Sequence, residues 1–167
     1  GLHLSDGGTE YAVPLMRDLA GPGLMPDDAL KALQPLLEGG RLALHDGKAW
    51  IRLMRGMGVE VKEIAFDTMI AGYLLNPLAG KYDFAELCEK TLGAQPSDAP
   101  ATALINLMDR QRELLREQGM DRLYDGIELP LVRVLADMEA EGFRMDSGVL
   151  KSLGAEYEAK LNELTAR

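Results

Sequence analysis

The stretch from Gly58 to Gly93, GVEVKEIAFDTMIAGYLLNPLAGKYDFAELCEKTLG, constrains this chain most, because several local signals follow one another in one order. Val59, Val61, Ile64 and Phe66 read as a buried strand that ends on Asp67. Asp67-Thr68 supplies side-chain oxygens suited to capping a helix from Met69 to Leu75. Asn76-Pro77 stops that helix, since proline lacks an N–H and pushes the residue before it out of the helical region. A loop through Gly80 follows, and Tyr82-Asp83 opens a short amphipathic helix. A strand feeding straight into an apolar helix favours an α/β layered fold over a helical bundle.

The flanking segments extend the same alternation. Leu2 to Ser5 and Tyr11 to Leu15 read as two short strands joined through Asp6-Gly7-Gly8, a hairpin signal. Gly21-Pro22-Gly23 breaks the chain, and Pro26-Asp27-Asp28 starts a helix with Ala29, Leu30, Leu33, Leu36 and Leu37 on one face. Arg41 to His45 is a strand, and Asp46-Gly47 begins a helix whose apolar face is expected to hold Trp50, Leu53, Met54 and Met57. Beyond Gly93 the character becomes helical. One helix carries Leu104, Leu107, Met108, Gln111, Leu114 and Leu115 and stops near Gly119. A second runs from Tyr124 to Glu141 with a bend at Pro130, and a third begins at Asp146-Ser147.

Composition excludes several classes. The net charge of −9, from 27 acidic and 18 basic residues, repels phosphates at long range, the opposite of a stand-alone nucleic-acid binder. A single cysteine, Cys88, excludes an internal disulfide framework and reads as an inert core thiol. No apolar run approaches the roughly 20 residues of a membrane span, so a cytoplasmic location with no membrane partner is expected.

The order of strand, Asn-Pro stop and Tyr-Asp helix, together with LYDGIELPLVRVLADMEAEGFRMD at Leu123 to Asp146, resembles bacterial DNA polymerase I, the family A repair polymerase. The resemblance implies a ribonuclease H-like (DnaQ-like 3′→5′ exonuclease) mixed sheet flanked by helices over about 1–119. Residues of about 120–167 would be the first helices of the polymerase domain. On that reading the strand bearing the first metal-binding pair would lie upstream of Gly1.

The resemblance also locates where nuclease ligands belong. Such a site needs carboxylates converging on two divalent metals. In the register fixed by Gly58-Val59-Glu60-Val61, the position of the catalytic helix Asp falls on Trp50, and an indole cannot bind Mg²⁺. The third ligand position falls near Ala99, where only Asp98 is available. No Tyr-x-x-x-Asp occurs: Tyr82 and Tyr124 are followed four residues on by Glu86 and Glu128. The Asp-x-Glu at Asp137-Met138-Glu139 sits in a helical segment, where residues two apart diverge. Asp46 reads as an N-cap rather than a relocated ligand.

The expectation is therefore a vestigial site around Asp46, Trp50 and Asp98, with no catalytic residue and no bound metal. Mg²⁺ and DNA would enter through the parent polymerase, and the remainder of the polymerase domain would be the packing partner. Lys48, Arg52 and Arg55 form a basic stripe that could touch DNA phosphates weakly or serve as a solvated helix face. The rival reading is a working 3′→5′ nuclease using displaced carboxylates at Asp46, Asp67 and Asp98. The stripe of Leu150, Leu153, Tyr157, Leu161 and Leu164 implies self-association through 147–167, or fraying, when later helices do not cover it.

Overall fold

A computed structural model describes residues 1–16, 23–96 and 99–165. Within them the fold is mixed α/β, mostly helical, with two small sheets. Strand β1 (Leu2–Ser5) pairs antiparallel with β2 (Glu10–Val13), Leu2 opposite Val13 and Ser5 opposite Glu10. The Asp6 carboxylate holds the turn by accepting from Gly8 N (2.9 Å) and Thr9 N (2.8 Å). Helix α1 (Pro26–Gly39) leads into β3 (Arg41–Leu44), α2 (Gly47–Gly56) and β4 (Glu63–Asp67). β3 and β4 are parallel, with Leu44 opposite Asp67, so α2 is the crossover that parallel neighbours require.

Among the described residues the strands form two separate two-stranded sheets, while the resemblance implied one mixed sheet whose first strand lies upstream of Gly1. Alternation of apolar residues specifies that a segment is a strand, whereas pairing between distant strands depends on tertiary contacts. Here the hairpin is tied instead to α5 (Pro100–Glu117), where the Glu10 carboxylate accepts from Thr102 N at 2.8 Å. The chain break expected around Gly21-Pro22 and the candidate residue Asp98 lie outside the described residues.

Three apolar clusters hold the elements together. Ile51, Met54, Val59, Val61, Val132 and Ala136 join α2 to α7 (Leu129–Glu141), with Leu37 of α1 against them. Phe66, Ala71, Leu115 and Tyr124 fill the space between β4, α3 (Thr68–Leu75) and α5. Leu87, Cys88 and Leu107 join α4 (Phe84–Leu92) to α5. Cys88 is fully buried, as its setting implies.

The buried face of α2 differs from its expected one. Gly47, Ile51 and Met54 are buried and Trp50 is half-buried against the same cluster, while Leu53 and Met57 are exposed. Gly47 explains the rotation, because a Cβ there would stand 2.8 Å from Ile64 Cδ1 and 3.0 Å from Asp67 Oδ2. Only a residue without a side chain lets the helix start lie that close to β4.

The helix expected from Tyr124 begins earlier and is not uniform. Short α6 (Asp121–Leu123) runs into a π-helical turn, Tyr124–Glu128, and then into α7. Leu129 N–H reaches back to Tyr124 C=O, and the wider turn accommodates Pro130, which offers no N–H of its own. The turn also places Tyr124, only 1% exposed, beneath β4. Its hydroxyl accepts from Asp67 N (2.7 Å) and donates to Asp67 C=O (3.1 Å).

Replacing Tyr124 by Phe keeps the ring that packs on Phe66 but leaves both backbone groups of Asp67 buried without this partner. The variant should fold and lose about 1–3 kcal/mol in urea unfolding. An unchanged midpoint would show that the hydroxyl contributes nothing.

Candidate functional site

Two polar centres arise where these elements meet. The first surrounds Asp67, at the C-terminal end of β4. Its backbone is clasped by Tyr124, and its side chain is fully buried. Carboxylate Oδ2 accepts from Gly47 N at 2.7 Å, while Oδ1 accepts from Met69 N at 2.9 Å and Ile70 N at 3.4 Å. One carboxylate thus caps α3 and also ties down the start of α2. Burial pushes the Asp67 carboxyl up, and those backbone donors oppose the rise.

Around it lie His45, Thr68 and Gln111. His45 Nδ1 is 2.9 Å from Thr68 Oγ1, and its ring lies tilted against Phe84 at 5.5 Å. Burial holds the imidazole below its ordinary pKa, although the carboxylates of Asp67, Asp46 and Asp83 pull the other way. Gln111 Nε2 donates to Thr68 C=O at 3.0 Å, and its buried Oε1 has no hydrogen-bond partner. Arg112 donates to Ala65 C=O at 3.0 Å and lies 4.9 Å from the centre of the Phe66 ring. Tyr124, Gln111 and Arg112 thus bond backbone groups around the β4–α3 corner, whereas the hydrogen bond of His45 is to the Thr68 side chain.

The second centre is an ion-pair seam between α2 and α7. Lys48 Nζ lies 2.7 Å and Arg52 Nη1 3.3 Å from the Glu139 carboxylate. Arg55 joins Glu60 (3.0 Å) and Asp137 (2.6 Å). Arg133 meets Glu60 at 2.8 Å and donates to the carbonyls of Val61 and Lys62. The basic stripe Lys48, Arg52 and Arg55 therefore faces carboxylates of this same chain. Asp137 and Glu139, the Asp-x-Glu of the sequence, are its counter-ions. Each pair is partly exposed and weak alone, so the value of the seam lies in its being a network over the apolar contact of α2 with α7.

The remaining candidates are placed as follows. Asp46 adopts φ 56° and caps α2, its Oδ1 accepting from Ala49 N at 3.2 Å. Trp50 packs against the apolar cluster of Ile51 and Val132. Among the described residues, no group of three or more His, Cys, Asp or Glu side chains is arranged to hold a metal ion. The donor set that a two-metal nuclease requires is therefore not assembled by them. The backbone contacts made by Tyr124, Gln111, Arg112 and Arg133 were not legible in the sequence. A tyrosine beside the Pro-containing turn was the one available hint, since a buried phenol needs a hydrogen-bond partner.

The chain is similar over most of its length to DNA polymerase I of Chloroflexus aurantiacus, 32% identical over 150 residues that cover 74% of this chain and 16% of the relative. It is 34% identical to the thermostable DNA polymerase I of Thermus thermophilus over 142 residues, covering 82% of this chain and 16% of that one. Its homologues are bacterial DNA polymerases I. Among solved structures, the POL domain of Pol1 from M. smegmatis, in complex with DNA primer-template and dNTP, superposes with a TM-score of 0.73 at 26% identity. That match covers 96% of this chain and 28% of that chain. No protein-family model matches. The chain spans about a sixth of the length of the DNA polymerase I relatives named here. No helix among its described residues is long and apolar enough to cross a membrane.

The seam has a testable acid signature. Hydrogen bonds from Arg55 and Arg133 hold the Glu60 carboxyl down to about 2, below its ordinary value of 4.5. Its folded pKa is depressed, so its contribution is complete above pH of about 4.5 and is lost as pH falls toward about 2. The stability difference between the protein and Glu60→Gln should shrink across that window. A difference independent of pH would remove Glu60 from the account.

Proposed function

We propose that this chain is a segment of a DNA polymerase I whose exonuclease-like part, about 1–119, is a catalytically silent platform for the polymerase helices of about 120–167. The parent would perform template-directed DNA synthesis in replication and repair, with Mg²⁺ supplied to carboxylates of its polymerase site rather than to residues of this segment. The observation that carries the reading is the use of the available carboxylates. Asp46 and Asp67 accept backbone N–H groups at helix starts, and Asp137 and Glu139 neutralise the α2 cations.

A ribonuclease H-like ancestry for the first part rests on the resemblance of its motifs and is supported by the β3–α2–β4 crossover. In that frame Trp50 takes the place of a metal ligand, and Glu60 and Arg133 bridge the two parts. The division at 119/120 is accordingly evolutionary rather than mechanical, because α7 shares a core cluster with α2. DNA would reach the parent through its polymerase site, the stripe of Lys48, Arg52 and Arg55 adding little while its charges are neutralised at home.

The segment should not shorten single-stranded DNA in Mg²⁺ or Mn²⁺. Its affinity for single-stranded DNA should be weaker than the roughly 10⁻⁴ to 10⁻⁶ M of ordinary non-specific binding at physiological salt. Metal-dependent digestion abolished by Asp46→Ala would overturn the silent-platform reading and restore a nuclease built on displaced carboxylates. Low-micromolar, strongly salt-dependent binding would overturn the second expectation alone.

A further inference from the structure

Helix α5 begins without a cap of its own. The residue at its N-cap is Ala99, whose side chain has no acceptor, and its first residue is Pro100, which has no N–H. Ala103 N donates to Ala99 C=O at 3.0 Å, so Ala101 and Thr102 are the first-turn donors left without an acceptor inside the helix. Thr102 N donates instead to Glu10 Oε2 at 2.8 Å, 92 positions earlier in the chain. A serine or aspartate at position 99 would accept from that same N–H, the third of the helix.

The hairpin holds the other half of the carboxylate. His3 pairs with Ala12 and Ser5 with Glu10, so His3 and Glu10 are diagonal neighbours on one face of the two strands. His3 Nδ1 lies 3.0 Å from Glu10 Oε1. One oxygen is thus engaged within the hairpin and the other at the start of α5, where a negative charge also complements the helix dipole.

We propose that Glu10 is the N-terminal cap of α5, supplied from the β1–β2 hairpin, so that the hairpin and the first turn of α5 open and close as one unit. The strap does more than join two neighbours. Further along, α5 carries Gln111 and Arg112 to the β4–α3 corner, and Glu10 fixes where that helix starts. The inference goes beyond the polymerase reading and does not rest on it, since both ends of the strap lie in this chain.

Native-state hydrogen exchange on the whole chain tests it. Glu10→Ala should speed exchange roughly fivefold or more at Thr102 and through the hairpin, 2–13. Leu107 and Leu115, buried further along α5, should exchange as slowly as before, which shows that the variant is folded. Adding Ala99→Ser to Glu10→Ala should restore slow exchange at Thr102 and leave the hairpin fast, because the serine replaces the cap and not the strap. A Thr102 amide unaffected by Glu10→Ala would show that another acceptor caps α5 and would overturn the proposal. So would a hairpin that stays slow while Thr102 opens, a loss at Leu107 equal to that at Thr102, or an Ala99→Ser that restores nothing.

Discussion

The rest of the fold depends on how the β4–α3 corner is satisfied. A strand that ends and a helix that starts at the same residue leave backbone N–H groups without partners inside the protein, and each buried orphan costs about 1–3 kcal/mol. Asp67 resolves this with one carboxylate that serves the starts of two helices, and Tyr124 resolves the backbone of Asp67 itself. Because Tyr124 comes from the π turn, the C-terminal helices are built into the corner rather than appended to it. The position of α7 over α2, and with it the ion-pair seam, follows from that anchoring.

The same corner explains why a carboxylate at a strand end need not be a metal ligand. A catalytic carboxylate keeps lone pairs directed into an open cleft, whereas those of Asp67 are directed at amides within the fold. Asp46 likewise spends Oδ1 on α2. Charge in this chain is used for assembly, and the cations that a DNA-facing surface would need are drawn to Asp137, Glu139 and Glu60. That arrangement is in keeping with the silent platform proposed above for a chain whose homologues are DNA polymerases I.

Much of this was legible locally. The caps at Asp46 and Asp67, the stop at Asn76-Pro77 and the start at Pro26 are all decided by side chains within a few residues, and each element appears where those signals put it. The face of α2 was not legible, since it turns on Gly47 approaching Ile64 from another strand. Nor was the tie between the hairpin and α5, where Glu10 reaches Thr102 across most of the chain. The seam was present in the sequence as two unconnected patterns, a basic stripe on α2 and an Asp-x-Glu on α7. Only the packing of Val132 and Ala136 onto Ile51 and Met54 brings them together. Tyr124 and Gln111 act on backbone groups far away in sequence, and no local pattern marks such a partner.

The measurement that tests this account most directly is urea unfolding of Asp67→Asn beside the unaltered protein, each with and without Mn²⁺. If the carboxylate is a structural joint, the amide cannot accept at both oxygens, and the variant should lose about 1–3 kcal/mol. Mn²⁺ should then leave both midpoints unmoved. A variant as stable as the parent or more so, together with a Mn²⁺-dependent gain in the parent alone, would identify Asp67 as a metal ligand and contradict the account.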